Sequence, residues 1–175
     1  MINWNKKVVM ILGNKIKDGL AVKSSVRRIA YQIYENNIDE KSIVIVGIGN
    51  RGKIFRNLIG NSIKSICDLN LIFVSLSIEK KKLLNVVDSD ISLEEIKNKS
   101  IIIVDDVLNT GSTLIYAVSY FLKIPVKKIQ TAVMVNRNHK KFPIKADFKG
   151  ISLSTSVNEH ISVVLEGNEI GIYLS

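Results

Sequence analysis

"IIIVDDVLNTGST", residues 101 to 113, decides how the rest of the chain is read. Its opening apolar run does not alternate, which suits a strand buried on both faces of a parallel sheet. The run ends in paired carboxylates, Asp105 and Asp106. A hydroxyl-rich turn containing Gly111 follows and enters the apolar stretch "STLIYAVSYFLK", a helix that Pro125 stops. In an open α/β sheet, ligands collect at the carboxyl ends of strands. The backbone N–H groups of residues 109–113 converge at the helix start and form a nest for a phosphate dianion. Asn109 opens that turn, Thr110, Ser112 and Thr113 add side-chain donors, and Gly111 permits close backbone approach. Asp105 and Asp106 are then placed to accept from two adjacent ribose hydroxyls, or to hold Mg²⁺ through water.

A second stretch, "IVIVGIGNRGK" (43–53), fits three patterns at once. Gly47, Gly49 and Gly52 spell the G-x-G-x-x-G of a dinucleotide fold, and Gly47 to Lys53 spell most of a P-loop. The third reading is a short pyrophosphate-holding turn of Gly49, Asn50, Arg51 and Gly52, with Arg51 as its forked cation. Ile54 removes the hydroxyl with which a P-loop holds Mg²⁺. A dinucleotide fold with Glu79 on the ribose leaves "LNTGST" without a role. The pyrophosphate turn is the reading that uses both stretches.

Outward from these, residues 18–37 put Val22, Val26, Ile29, Ala30 and Ile33 on one helical stripe. A helix over about 53–67 buries Ile54, Phe55, Leu58, Ile59, Ile63 and Ile66, and further strands are expected at 71–78 and 129–135. Alternating strands and helices make a doubly wound, mainly parallel α/β sheet. Residues 79–99 break that rhythm. They open with Lys80, Lys81 and Lys82, a candidate lid, and carry a Ser92/Glu95 capping-box pattern for one short turn. After residue 140, short strands near 147–154, 161–165 and 170–174 are expected to form an antiparallel tail or hood over one end of the sheet.

The chain has 175 residues, a length suited to one domain with a sizeable core. Its apolar runs are too short to span a membrane or to serve as a signal-peptide core. Cys67 is alone, so no disulfide framework exists, and a reduced cytoplasmic setting is expected. Lys plus Arg number 25 against 16 Asp plus Glu, a net charge of +9 that suits an anionic partner, whether phosphorylated metabolite or nucleic acid. His139 and His160 lack partners at metal-ligand spacing and read as solvated or structural. Trp4 and the tyrosines show no spacing of a base-stacking platform.

The 101–113 stretch resembles the phosphoribosyl pyrophosphate (PRPP) signature of type I phosphoribosyltransferases: four apolar residues, two acids, two apolar residues, then x-T-G-x-T. Together with "VGIGNRG" and "VMVNRNHKKFPIKADFKG" (133–150), it is similar to the bacterial pyrimidine-operon regulators known as PyrR. That resemblance implies the type I fold, transfer of a phosphoribosyl group from PRPP to a nucleobase, uracil above all, and release of pyrophosphate with Mg²⁺. It also implies RNA binding and a homodimer or higher assembly. Asp105 and Asp106 would be the catalytic pair, and the base would lie near Val135, Asn136 and Arg137. Arg27, Arg28, Lys140, Lys141 and Lys145 are the candidate RNA contacts. The alternatives are a PyrR-like RNA-binding regulator of pyrimidine genes with weak or no transferase activity, and a purine-preferring relative of the same fold. The chain departs from the PyrR pattern at Asn136, where the family has Asp, and at Asn138, where it has Gly. Its segment 79–99 is shorter and offers "EKKK" in place of Arg-Asp-Asp.

Overall fold

A computed structural model describes residues 13–80 and 85–175. Two sheets organise them. The larger is six-stranded, in the order β4-β3-β2-β5-β6-β7. It comprises β2 (Ser42–Ile48), β3 (Asn70–Lys80), β4 (Asn85–Ser89), β5 (Ser100–Leu108), β6 (Lys128–Arg137) and β7 (Phe148–Leu153). All pairings are parallel except β3 with β4. The smaller sheet joins β1 (Asn14–Asp18), β9 (Gly171–Leu174) and β8 (Ile161–Val164) in antiparallel pairs.

The burial follows from the sequence pattern. Val44 and Val46 of β2 face one layer while Ile43 and Ile45 face the other, and all four are fully buried. One layer holds α1 (Gly19–Glu35) and α2 (Gly49–Lys64); the other holds α3 (Ser112–Phe121) and a one-turn 3₁₀ helix, Leu93–Ile96. Helix α2 presents Phe55, Ile59 and Ile63, spaced one turn apart and fully buried. Truncating one of these to Ala is worth roughly 2–5 kcal/mol.

The position of the site follows from topology. From β2 the chain crosses through α2 to β3 on one side; from β5 it crosses through α3 to β6 on the other. The strand order therefore reverses between β2 and β5, whose carboxyl ends lead into the two anion-binding turns predicted above. A crevice at such a reversal is where open α/β sheets bind ligands.

Three expectations need correction. Helix α2 starts at Gly49 and ends at Lys64, so Asn50, Arg51 and Gly52 form its first turn rather than a loop before it. The glycine spacing concealed this, because only Gly49 departs from right-handed backbone, with φ +57°. Secondly, residues 147–154 do not belong to an antiparallel tail: β7 extends the main sheet, parallel to β6. Gly150 allows the approach, since a Cβ there would lie 2.6 Å from the Met134 carbonyl oxygen and Sδ. Arg28 of α1 then donates to the Lys149 and Gly150 carbonyls. Thirdly, part of 79–99 is sheet: Glu79 and Lys80 close β3, and β4 folds back along it. The Ser92/Glu95 capping box is present as expected. Lys81 and Lys82 of the candidate lid lie outside the described residues, and Lys80 closes β3.

Candidate active site

Helix α1 begins in the ordinary way, with the Asp18 carboxylate accepting from the Ala21 N–H at 2.8 Å. Helices α2 and α3 do not. Their N-cap residues are Ile48 and Gly111, neither makes a side-chain cap, and neither first turn carries an acidic residue. The first N–H groups of a helix have no partner within it, and an anion is the natural complement. Both uncapped ends open at the strand-order reversal.

The β5 side of the crevice holds the carboxylates. Asp105 Oδ1 accepts from the Asp106 N–H and Asp106 Oδ1 from the Val107 N–H, each at 2.9 Å, so both side chains are anchored where the strand ends. A small cavity of about 190 Å³ follows, lined by Asp105, Val107, Asn109, Thr110, Gly111 and Thr113 among others. Gly111 sits at φ +86°, and a Cβ there would meet Ile144 Cγ2 at 2.6 Å. The Thr110 carbonyl accepts from the Lys141 and Phe142 N–H groups at 2.9 and 3.2 Å. The turn is thus held from behind by the 141–144 segment. Sequence reasoning missed this support, because "KKFPIK" reads as a basic loop, and only the isolated Ile144 hinted at a packed position.

On the β2 side, Gly47 and Gly52 let the first turn of α2 sit tightly. A Cβ on Gly47 would lie 2.8 Å from the Gly52 carbonyl oxygen and Lys53 backbone, and one on Gly52 would lie 2.8 Å from the Val104 carbonyl of β5. Arg51 reaches across the crevice, its Nη1 3.4 Å from Asp106 Oδ2. It also lines a cleft of about 210 Å³ with Ser162–Glu166, which brings β8 of the small sheet over this end of the site.

Val135, Asn136 and Arg137 close β6 and are all buried. Asn136 stands between Leu108 of β5 and Ser152 of β7 and is only 6% exposed. Its Oδ1 is buried and has no hydrogen-bond partner among the described residues. Arg137 is structural in its contacts: Nε donates to Thr155 Oγ1 at 2.9 Å, and Nη2 to the Ser156 and Glu159 carbonyls. His139 joins the same support, with Nε2 2.6 Å from the Thr155 carbonyl oxygen.

The Phosphoribosyl transferase domain family matches residues 13–166 of this chain. The chain is a member of that family. Among curated relatives, the Bifunctional protein PyrR of Clostridium acetobutylicum is 36% identical over 166 residues, covering 90% of this chain and 93% of that protein. The Staphylococcus aureus PyrR is 34% identical over 159 residues, covering 86% and 91%. Solved structures share the fold at lower identity. A Trypanosoma cruzi hypoxanthine phosphoribosyltransferase gives a TM-score of 0.78 at 13% identity, covering 93% of this chain and 96% of that one. A hypoxanthine phosphoribosyltransferase from Staphylococcus aureus gives 0.73 at 19% identity, covering 83% and 80%. The type I phosphoribosyltransferase fold is thereby established, and membership of the family supports PRPP-dependent phosphoribosyl transfer as the activity. Among the described residues no helix is long and apolar enough to cross a membrane.

Proposed function

We propose that this phosphoribosyltransferase joins uracil to the ribose of PRPP, giving uridine monophosphate and pyrophosphate. The observation that carries the reading is the pair of uncapped helix ends flanking one carboxylate pair at the strand-order reversal. PRPP carries an anionic group at each end of its ribose, and the crevice offers an anion-binding helix end on each side.

The α3 turn, Asn109 to Thr113, would hold the 5′-phosphate through backbone N–H groups and hydroxyls. Asp105 and Asp106 would accept from the ribose hydroxyls and favour positive charge on the ring as the bond from C1′ to the pyrophosphate oxygen breaks. That electron pair leaves with pyrophosphate, which the first turn of α2, Gly49 to Gly52, and the Arg51 guanidinium would stabilise. The base nitrogen bonds to C1′ and gives up its proton. Losing one such placed donor lowers turnover about 10²–10³-fold in other enzymes.

Mg²⁺ fits the carboxylate pair. No third His, Cys, Asp or Glu joins Asp105 and Asp106 in a ligand group among the described residues. That suits an ion held largely by water and substrate oxygens, neutralising charge on the leaving group when bound.

The base is assigned to the end of β6. Asn136 Oδ1 is a buried acceptor without a donor among the described residues, an arrangement that costs roughly 1–3 kcal/mol unless a ligand N–H completes it. Uracil supplies such an N–H. Pyrophosphate release from PRPP and Mg²⁺, measured with uracil, hypoxanthine, guanine, adenine and orotate in parallel, tests the assignment. Uracil-selective release supports it. Selectivity for hypoxanthine or guanine would assign the chain to purines instead.

The kinship with proteins named bifunctional favours a second, additional reading, an RNA-binding face. Lys140, Lys141, Lys145 and Lys149 are exposed. The Arg28 bonds to β7 bring Arg28 of α1 beside Lys149, whereas Arg27 lies over the Tyr31 ring and lines a cleft with Leu58 and Asn61 of α2. We propose that this face, in a homodimer or higher assembly, binds folded RNA. Affinity that falls steeply with salt and is lost on charge reversal at Lys140 and Lys141 is the expected outcome. Salt-insensitive or absent binding would leave the transferase alone.

A further inference from the structure

Arg56 is buried, 9% exposed, in the middle of α2 and outside the crevice. Its guanidinium is fully engaged. Nη1 donates to the Val74 carbonyl at 2.7 Å and to Ser75 Oγ at 3.3 Å, both on β3. Nε and Nη2 fork onto Asn57 Oδ1 at 3.2 and 3.1 Å. Its face lies over the Phe73 ring at 5.3 Å. Burial pulls the guanidinium below its ordinary pKa, and Asp90 opposes that pull.

Asp90 lies at the root of the β3–β4 hairpin, just beyond the Leu76–Ser89 pair. It is bound to the same serine. Asp90 Oδ1 accepts from the Ser75 N–H at 2.7 Å, and the Asp90 N–H donates to the Ser75 carbonyl at 3.2 Å. Burial opposes its ionisation, but the Ser75 N–H and hydroxyl, with the Arg56 charge, outweigh that and hold the carboxyl below its usual value. Ser75 therefore stands between a buried cation and its counter-charge. In the parallel register Ser75 lies directly beside Gly47, the residue on which the first turn of α2 folds back.

Arg56 is buried while Asp90 is exposed, so the buried guanidinium is the charge that loses an offsetting partner when Asp90 or Ser75 is removed. We propose that Arg56, Ser75 and Asp90 are positioning residues that fix the first turn of α2 relative to β3 and so set the grip of Gly49–Gly52 on the pyrophosphate end of PRPP. This rests on the assignment of Gly49–Gly52 to pyrophosphate. The relay touches no substrate. It acts through the strand–helix junction, so its loss should be felt at one end of the ligand and not the other.

The test is calorimetric titration of PRPP with Mg²⁺, and separately of ribose 5-phosphate, into wild type, Asp90→Asn and Ser75→Ala. Circular dichroism confirms folding. Asp90→Asn is expected to weaken PRPP about tenfold and to leave ribose 5-phosphate within about twofold, with Ser75→Ala showing the same split about threefold. Arg56→Lys in the Asp90→Asn background should add little, since the two belong to one unit. Unchanged PRPP affinity in folded Asp90→Asn, or equal weakening of both ligands, would overturn the relay. If Asp90→Asn does not fold, the Ser75→Ala split decides in the same way. Wild type that binds ribose 5-phosphate but gains nothing from the pyrophosphate group would overturn the assignment of Gly49–Gly52, and the relay with it.

Discussion

The two turns proposed to bind anions look alike in sequence and are held in opposite ways. Each ends a buried parallel strand, opens a helix without a side-chain cap, and uses a glycine with positive φ, Gly49 at +57° and Gly111 at +86°. The β5 turn is braced by neutral contacts: Ile144 against Gly111, and backbone bonds from Lys141 and Phe142 to Thr110. The β2 turn is braced through charged groups: the buried Arg56 guanidinium on the Ser75 hydroxyl, and the exposed Asp90 carboxylate on the Ser75 N–H. At Gly49 itself a Cβ would meet nothing within 4 Å. One glycine is needed for both conformation and space, the other for conformation alone. Similar motifs therefore predict different sensitivities.

The largest effect is expected between the turns, at the carboxylates they share. The double variant Asp105→Asn/Asp106→Asn should lower pyrophosphate release at least about 10²-fold while leaving the melting temperature close to wild type. A smaller loss would mean that the turns alone supply most of the catalysis.

Next is Gly111→Ala, which forces a left-handed Ala into Ile144. Left-handed backbone and overpacking together should destabilise the fold by roughly 2–5 kcal/mol and weaken ribose 5-phosphate binding. Adding Ile144→Ala should recover the overpacking part and not the conformational part. Gly49→Ala should cost about 1–2 kcal/mol from backbone alone. It should weaken PRPP without affecting ribose 5-phosphate. Equal stability losses at the two glycines would break the comparison.

The smallest effect is in acid. The Asp90 carboxyl titrates lower in the folded chain than in the unfolded one. Its contribution is present above the ordinary carboxylate range and is lost as pH falls through the depressed value. Between roughly pH 5 and pH 3 the melting temperature of wild type should therefore fall more than that of Asp90→Asn. A parallel fall in both would remove Asp90 from the ionic account.

Much of this architecture was legible in the chain because strands such as Ile101–Val104 are unbroken apolar runs and because α1 carries a clean apolar stripe. The β5 turn was legible as a structural element, since an apolar run, a glycine and a second apolar stretch mark a strand that leads into a helix at Ser112. The β2 turn was less so. Glycine spacing gave its place, but that Asn50 to Gly52 are helical depends on Gly52 packing against Val104, a contact between segments far apart in sequence. Strand β7 was misassigned for the same kind of reason, as its place beside β6 depends on Gly150 meeting Met134. Arg137 was expected near the base, beyond a strand ending at Val135; it closes β6 itself, and its partners, Thr155, Ser156 and Glu159, come from a stretch with no pattern to mark them. Nothing in the sequence pattern singles out Arg56. Its burial follows from Phe73 and Ser75 of the adjacent strand, which periodicity along the helix does not report.

The central claim is that one PRPP molecule engages both turns at once, and hydrogen exchange on peptides covering residues 49–53 and 109–115 tests it most directly. PRPP with Mg²⁺ should protect both peptides together, and ribose 5-phosphate should protect 109–115 alone. Protection of only one peptide by PRPP, or of both by ribose 5-phosphate, would contradict the account.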